Sequence, residues 1–274
     1  ALGGVLCRCT GYEKIVDAVV GWNLPVSEPT GDSGSIGQRI PKLDGTSRID
    51  GTALYGADAA PAGSLWLRAI RSPHAKAHFT LGDLDAWAAT RPGILRVVSA
   101  RDVPGHNSFG VYPDLKDQPV FAEGHVRYRG EAIAAIVGEK AAVEAVTLED
   151  MPITWHPEAP ATGIAAGLAA HPALHAFRPD NVLTRGLVER GDPATAYTSA
   201  AHTAEGRYET TFVEHAYIEP EAGYALRKGN RMEVFACTQA TTMDRDEVAR
   251  VLGLAKEQVT VLASACGGGF GGKL

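Results

Sequence analysis

Residues 258–274 read QVTVLASACGGGFGGKL, and this stretch decides how the chain is interpreted. Gln258 to Ala263 is an apolar, β-branched run, which predicts a buried strand. Five glycines and one phenylalanine follow between Gly267 and Gly272. Glycine has no Cβ, so this backbone can adopt positive φ angles and approach a ligand closely. Consecutive backbone N–H groups there can also cradle an anionic or oxo group.

Three interpretations of this glycine-rich segment are open from the residues alone. The first is a tight turn after a strand, although five glycines make such a turn costly in conformational entropy. The second is a nucleotide-binding P-loop, because Gly267 and Gly272-Lys273 satisfy G-x-x-x-x-G-K. A P-loop needs Ser or Thr next to coordinate Mg²⁺, and this chain has Leu274 there. The third interpretation depends on the residues that precede the strand.

A second strand and a helix come before the glycine-rich segment. Met232 to Cys237 predicts the strand, and Thr238-Gln239 follows it directly. Asp244 to Leu252 predicts the helix, with Asp244 as its N-cap and Gly253 as its C-terminal stop. The order is therefore strand, Thr-Gln, helix, strand and glycine run.

The composition is that of an ordinary globular chain. Hydrophobic residues make up 45% of the 274 residues, which permits a sizeable core. Lys and Arg number 26 against 32 Asp and Glu, and the net charge of −6 argues against nucleic acid or anionic membranes as partners. No apolar run reaches the roughly 18 residues of a membrane span. No signal-peptide pattern opens the chain, so we expect a cytoplasmic protein, with the periplasm left open.

The pattern of helices, strands and linkers predicts an α+β chain of consecutive segments. Glu13 to Val20 predicts a helix whose apolar stripe needs a partner to bury it. A stretch rich in Pro, Gly and Ser follows and has no periodicity, as a linker does. The expected segments are the end of a helical domain (1–22), a linker (23–45), a small α/β domain (46–156), a connecting segment with a short helix (157–180) and the first part of an α+β domain (181–274).

Further elements are predicted between these landmarks. The strands are Ser64–Arg71, Gly93–Ser99, Ala132–Val137 and Arg207–Phe212. The helices are Gly82–Ala89, opened by Asp83 or Asp85, and Glu139–Ala145.

These motifs resemble those of the molybdenum hydroxylases, the xanthine oxidase and aldehyde oxidoreductase family. That family has a T-Q dipeptide, an R-x-L-G helix end and GGGFGGK, matched here by Thr238-Gln239, Arg250 to Gly253 and Gly267 to Lys273. The blocks IDGTALYGAD from Ile49 and RSPHA from Arg71 resemble the family's small hammerhead-type α/β domain. The resemblance covers nearly the whole chain except the linker and the Ala/Pro-rich connecting segment.

The resemblance implies a molybdopterin cofactor with molybdenum, in bacteria often the cytosine dinucleotide form. It implies that Gln239 hydrogen-bonds the apical oxo ligand, since an amide N–H suits an oxo acceptor. It implies that a glycine-rich stretch packs against the metal centre, where Phe270 walls the site. The implied cofactor-binding residues are Gln239, Gly268, Gly269, Phe270 and Gly271.

The stretch Cys7-Arg8-Cys9-Thr10-Gly11-Tyr12 resembles the end of the family's helical [2Fe–2S] domain. The resemblance implies that Cys7 and Cys9 bind a [2Fe–2S] cluster and that Cys9 abuts the pterin. Such a cluster takes four cysteine ligands, and the other pair is expected upstream. Without the resemblance, C-x-C is equally compatible with two buried thiols. Cys237 and Cys266 each stand beside a matched cofactor motif and are not expected to substitute.

The implied activity is hydroxylation of a small-molecule aldehyde or N-heteroaromatic compound. Water supplies the oxygen, and [2Fe–2S] clusters carry the electrons away. Xanthine-oxidising members have glutamate where this chain has Leu274, which weakens a xanthine interpretation. The family's general-base glutamate lies in a G-x-G-E motif that this sequence lacks, so we expect no catalytic residue here. Glu219 and Glu221 are interpreted as structural or solvated carboxylates.

In animal xanthine oxidases a flavin domain separates the iron–sulfur part from the molybdenum part, whereas here only the linker does, which resembles the flavin-free bacterial aldehyde oxidoreductases. The resemblance implies no FAD in this chain and electron transfer to an acceptor subunit or an external acceptor. The rest of the molybdenum domain and of the [2Fe–2S] polypeptide is expected from elsewhere. The alternative is a non-catalytic split subunit or fragment completed by partner chains, and a P-loop nucleotide binder is a third hypothesis. His74 and His78 do not predict a zinc site, because Ser72-Pro73 disfavours the helix that would align them.

Overall fold

The computed structural model describes residues 12–25, 42–112, 115–170, 172–211 and 214–274. Cys7 and Cys9 lie outside the described residues, as does most of the predicted linker. The cluster interpretation of these cysteines therefore stays a prediction.

Helices and strands alternate irregularly along the described chain, as expected for an α+β fold. No helix in the described ranges has the length and apolar character that crossing a membrane requires. The helices are α1 (Glu13–Val20), α2 (Gly45–Ile49), α3 (Leu84–Ala89), α4 (Lys140–Ala145), α5 (Ile164–Ala169), α6 (Pro193–Ser199) and α7 (Thr241–Leu252). The strands are β1 (Trp66–Arg71), β2 (Ala77–Leu81), β3 (Ile94–Ser99), β4 (His125–Val126), β5 (Ala132–Gly138), β6 (Ile153–Pro157), β7 (Gly223–Lys228), β8 (Arg231–Ala236) and β9 (Val259–Ala263).

Two three-stranded antiparallel sheets enclose the main hydrophobic core. Their strand orders are β1–β5–β3 and β4–β2–β6. Strand β5 is central and nearly continuously buried, which explains its run of small and apolar residues. Strand β2 alternates instead, with Ala77 and Phe79 buried and His78 exposed, so one of its faces meets solvent. Helices α3 and α4 contribute Leu84, Trp87 and Val143 to the same core.

The third sheet, β7–β8–β9, forms the region that carries the predicted cofactor residues. Strands β7 and β8 are an antiparallel hairpin, and β9 lies parallel to β8. A parallel neighbour requires a crossover, and α7 supplies it. Gly253 ends α7 in the left-handed conformation with φ 65°, as predicted.

The loop that follows β3 is held by hydrogen bonds to the end of α7. Gly105 N donates to Val251 O at 2.9 Å, and His106 N donates to Arg250 O at 3.1 Å. A Cβ on Gly105 would lie 2.2 Å from Arg250 O, so only glycine permits this approach. Lys116 and Glu247 add an ion pair of 2.6 Å across the same contact.

Most of the predicted elements are confirmed to within a few residues. Helix α1 has the predicted bounds, and Asp83 caps α3 by accepting a hydrogen bond from Ala86 N at 2.9 Å. The predicted N-cap of α7 is wrong, because α7 begins at Thr241 and places Asp244 inside its first turn. Asp244 instead accepts a short hydrogen bond from the Thr238 hydroxyl, which fixes the start of the helix.

The predicted strand Arg207–Phe212 is also wrong over 207–211, which carry no strand and are exposed. A β-branched run forms a strand only where a neighbouring strand accepts its hydrogen bonds, and 207–211 pair with none in the described chain. Sequence reasoning missed β2, β4, β6 and β7, although β7 is as long as the predicted strand β1. Local composition did not reveal these strands, because strand formation depends on pairing with neighbours.

Replacing Ile136 on β5 by alanine tests the core. The side chain is fully buried, so Ile136→Ala should lower the free energy of unfolding by about 2–5 kcal/mol in urea titration. Leu67→Ala on the adjacent β1 is the matched control, because Leu67 is 63% exposed and its loss should change stability by about 0.5 kcal/mol or less. Equal effects of the two substitutions would contradict the assigned core.

Candidate functional site

Gln239 and the glycine-rich segment lie together at one edge of the third sheet. Gln239 follows β8, and the glycines follow β9. Because β8 and β9 are parallel, with Ala236 opposite Ala263, their carboxyl ends reach the same edge. Such an edge of a sheet is where α/β proteins bind ligands.

Two hydrogen bonds fasten Gln239 to the segment. Gly271 N donates to Gln239 Oε1 at 3.0 Å, and Gln239 N donates to Lys273 O at 2.8 Å. The structure therefore brings together all five residues that the sequence singled out for cofactor binding, although their role stays a prediction.

Close packing explains the glycines at two positions. A Cβ on Gly269 would lie 2.4 Å from Gln239 Oε1, and one on Gly272 would lie 2.8 Å from the Tyr217 ring. Gly268 and Gly271 have φ angles of +110° and +90°, which side chains rarely adopt. The segment is thus shaped by packing and by backbone conformation together.

Phe270 sits at the tip of this segment in a strained conformation. Its φ is 52°, and its side chain is 44% exposed. Positive φ costs a bulky residue about 1–3 kcal/mol, and such strain is concentrated at functional sites. An exposed aromatic ring held this way fits the predicted wall of a ligand site.

Several hydrogen-bond donors at this edge have no partner within the described residues. The N–H groups of Gly268, Gly269 and Phe270 donate to no protein group there, and neither does the Gln239 side-chain amide. Gly269 is buried, and a buried N–H requires a partner. These donors lie next to Gln239, whose Oε1 is held by Gly271 N, and donors of this kind fit the oxo groups of a molybdenum cofactor.

A cleft of about 710 Å³ opens beside Gln239, within the size range of small-molecule sites. The first turn of α7 forms one wall, with Thr241 and Met243, and Lys116 and Glu247 form another part of the lining.

A buried ion pair lies beneath the glycine-rich segment. Lys273 has a side chain that is 0% exposed, and its Nζ lies 2.9 Å from Glu219 Oε2. The same ammonium lies 4.5 Å from the centroid of the Tyr217 ring. Glu219 also accepts hydrogen bonds from Gly267 N at 2.7 Å and from Gly56 N at 3.4 Å.

The pKa values of the pair shift apart. Burial alone would raise the pKa of Glu219, but hydrogen bonds from Gly267 and Lys273 bring it below its usual value. Burial alone would lower the pKa of Lys273, but hydrogen bonds to Glu219 and Cys237 bring it above its usual value. The hydrogen bond to Glu221 raises the pKa of Tyr217 to about 12.

The N-terminal part of the hammerhead-like block also reaches this site. Arg48 Nη1 donates to Cys266 O at 3.1 Å, and Ala265 N donates to Leu54 O at 3.0 Å. Sequence reasoning assigned IDGTALYGAD to the small α/β domain alone and missed these contacts. No local signal in the sequence reveals a contact across more than 200 residues.

The P-loop hypothesis is wrong for this structure. A P-loop lysine reaches the phosphates of a nucleotide, whereas the Lys273 ammonium is buried and bound to Glu219. The structural interpretation of Glu219 is confirmed by the same contact.

Two family models match the chain. Residues 50–158 match the a/b hammerhead domain of aldehyde oxidase and xanthine dehydrogenase, and residues 174–274 match the molybdopterin cofactor-binding domain. The chain belongs to the molybdenum hydroxylase family. The second match contains Gln239 and the whole glycine-rich segment.

Individual relatives agree with this assignment. A probable xanthine dehydrogenase subunit of Bacillus subtilis is 31% identical over 84% of this chain and 30% of its own length. The nicotinate dehydrogenase large molybdopterin subunit of Eubacterium barkeri is 31% identical over 87% of this chain and 56% of its own length.

The solved aldehyde oxidoreductase of Desulfovibrio gigas superposes with a TM-score of 0.78 at 26% identity, over 97% of this chain and 32% of that one. The chain spans between 17% and 56% of the length of the first curated relatives that it matches.

Removing the Lys273 ammonium tests the buried pair. Lys273→Met leaves Glu219 buried without its counter-ion and should cost about 3–5 kcal/mol of unfolding free energy at pH 7. The control is Lys228→Met, which breaks a 2.8 Å pair with Glu233 whose lysine is 60% exposed and should cost about 0–1 kcal/mol. Urea titration measures both, and equal losses would contradict the assigned burial.

The difference between wild type and Lys273→Met should also depend on pH. A carboxylate with a lowered pKa contributes stability above its unfolded pKa of about 4.3, and this is lost as the pH falls through the folded value. An ammonium with a raised pKa contributes below about 10.4, and this is lost as the pH rises through its folded value. The difference should shrink as the pH falls and the unpaired Glu219 of the variant takes up a proton, because burial without Lys273 favours its neutral form. A difference that grew in acid would be inconsistent with the pair.

Proposed function

We propose that the chain forms part of a molybdenum hydroxylase that hydroxylates an aldehyde or an N-heteroaromatic compound. Water supplies the oxygen atom, and [2Fe–2S] clusters carry the electrons. The observation that carries the proposal is the contact between Gln239 and the segment Gly269–Gly271, beside N–H donors that have no partner in the part of the chain that the structure describes. The match of 174–274 to a molybdopterin cofactor-binding domain supports it independently.

The residues of this chain bind and orient the cofactor in this proposal. When bound, the molybdenum cofactor supplies the two-electron oxidation chemistry. Gln239 donates its amide N–H to an oxo group without adding a labile proton. The N–H groups of Gly268 and Gly269 hold cofactor oxygens, and Phe270 covers the site. The cytosine dinucleotide form of the cofactor is proposed on the resemblance to bacterial members.

The proposed substrate class follows from one residue and from the relatives. Leu274 is 53% exposed next to the site and offers no carboxylate for a purine. Relatives are named for aldehyde and nicotinate oxidation, which keeps aldehydes and N-heterocycles together as the class. Cys7 and Cys9 are proposed as two of the four cluster ligands.

The site predicts the effect of two substitutions in the enzyme that contains this chain. Gln239→Ala removes the proposed oxo donor and should lower kcat by about 10²–10³-fold, the usual effect of losing one such donor. Gly269→Ala should act similarly, because its Cβ would displace the Gln239 side chain. Turnover of an aldehyde or nicotinate with an artificial electron acceptor measures kcat, and elemental analysis measures molybdenum.

Gly186→Ala is the matched control, because a Cβ there meets nothing within 4 Å. It should leave kcat and molybdenum content unchanged. A native enzyme without molybdenum, or equal losses in Gly186→Ala and Gly269→Ala, would refute the proposed site.

We also propose that the chain works with partner polypeptides in the cytoplasm. The apolar face of α1 is exposed, with Val19 at 65% and Val20 at 72%, and Trp22 beyond it is 82% exposed. Two relatives carry the word subunit in their names. If the chain is instead a non-catalytic split subunit, partner chains supply every reacting group.

The assembly proposal predicts that the tagged chain co-purifies with a polypeptide that carries the missing G-x-G-E motif. Val20→Asp on the apolar face of α1 should reduce the recovered partner by about tenfold or more, as expected for a charge in a buried apolar contact. Asp17→Asn on the same helix should recover as much partner as the unchanged chain. Quantitative mass spectrometry of the eluate decides, and unchanged recovery with Val20→Asp would contradict the role of α1.

A further inference from the structure

A row of histidines crosses the exposed face of the sheet β4–β2–β6, which contributes none of the predicted cofactor residues. His78 on β2 stands directly opposite His125 on β4 and opposite His156 on β6. Directly opposed residues of antiparallel strands project to the same face. The rings of His78 and His125 are 4.7 Å apart between centroids.

Glu158 brings a carboxylate to these two neighbouring rings. Its backbone N donates to Lys76 O at 2.9 Å, which extends the pairing of β2 and β6 by one step. Its Oε1 lies 3.2 Å from His78 Nε2, and its Oε2 lies 3.9 Å from His125 Nε2. The ligand atoms of these three residues all lie within 4.8 Å of one another.

These separations fit a common metal ion. Zinc binds imidazole nitrogen and carboxylate oxygen at about 2.0–2.2 Å, so two ligands in tetrahedral geometry are about 3.3 Å apart. The observed distances of 3.2 and 3.9 Å are close to that value and end on the two different oxygens of the Glu158 carboxylate. Side-chain rotation therefore has to bring one of these oxygens and the two imidazole nitrogens to a common ion.

His125 gives a second, independent reason for a ligand. Its Nε2 is buried and has no hydrogen-bond partner among the described residues. Buried polar atoms in folded proteins are almost always paired, and this one faces the Glu158 carboxylate across a gap too long for a hydrogen bond. Burial, together with the neighbouring His78, lowers the pKa of His125 below its usual value.

Other charged groups surround the cluster. Lys76 Nζ lies 2.9 Å from Glu158 Oε2 and holds the carboxylate in place, while Arg127 adds positive charge beside His125. Both side chains repel a bound metal cation, so the site needs a metal with a strong preference for imidazole. Hard cations such as Mg²⁺, which prefer all-oxygen ligands, are excluded.

We propose that His78, His125 and Glu158 bind a divalent transition-metal ion of the zinc type, with two imidazole nitrogens and one carboxylate oxygen as ligands. A fourth position stays open to water. The ion ties the three strands β4, β2 and β6 together on the face opposite the core, which gives it a stabilising role apart from the molybdenum site.

Sequence analysis missed this site because it tested the histidines only for the i, i+4 spacing of metal ligands on a helix. His74 and His78 are four residues apart, but His74 instead packs against Trp155 with ring centroids 5.2 Å apart. Two ligands come from strands β2 and β4 and the third directly follows β6, up to 80 residues apart along the chain, and only the sheet register brings them together.

The test uses the full 274-residue chain, freed of metal by a chelator and titrated with Zn²⁺ by isothermal calorimetry. One Zn²⁺ per chain should bind, and the melting temperature should rise with Zn²⁺ concentration. His78→Ala and Glu158→Gln should each weaken binding by at least about tenfold, since even losing a residue that only orients a metal ligand costs 10–100-fold. His78 and Glu158 are exposed enough that these variants should keep the wild-type circular dichroism.

His156→Ala is the matched control, because His156 lies in the same row but outside the ligand group. It should bind Zn²⁺ within twofold of the unchanged chain. Absence of stoichiometric Zn²⁺ binding, or an equal loss in His156→Ala and His78→Ala, would overturn the proposal.

Discussion

The carboxylate of Glu219 is the point on which the candidate site depends. It accepts hydrogen bonds from Gly267 at the start of the glycine-rich segment, from Gly56 between α2 and β1, and from the buried ammonium of Lys273. One side chain thereby joins three stretches that are remote in sequence. Removing any of these donors leaves a buried charge with fewer partners, which is costly in free energy.

Because Glu219 and Lys273 fix both ends of the glycine-rich segment, the residues between them cannot relax into an ordinary turn. Phe270 keeps a positive φ, and the N–H groups of Gly268 and Gly269 stay without protein partners in the described chain. These features oppose folding, so the fixed ends must offset them. Backbone donors left open in this way are preorganised for an acceptor that arrives later.

Local features of the sequence predicted most of the fold, and long-range contacts account for what it missed. Helix α3 and its Asp83 cap follow from neighbouring residues, as does the stop of α7 at Gly253. The strand expected at 207–211 failed because pairing depends on a neighbour that local sequence cannot supply. Strands β2 and β4 were missed because they form through pairing with each other, which their composition does not reveal.

Within the candidate site, too, sequence motifs were predictable and long-range contacts were not. Gln239 and the glycines were identified from a motif, and the parallel pairing of β8 and β9 brings them together. The burial of Lys273 and its pairing with Glu219 were not foreseen, because the motif shows neither burial nor the identity of a counter-ion. The lysine that resembled a phosphate ligand is a structural residue.

The close contact between Gly105 and the end of α7 limits which substitutions the loop after β3 tolerates. Gly105 touches the last turn of α7, and Gln239 precedes its first turn. A helix of 12 residues is about 18 Å long and behaves as a stiff rod. A side chain added at position 105 would therefore displace one end of this helix, and the displacement would reach Gln239, a predicted cofactor-binding residue, at the other end. The loop around Gly105 thus constrains the geometry of the candidate site without supplying any of the predicted cofactor-binding residues.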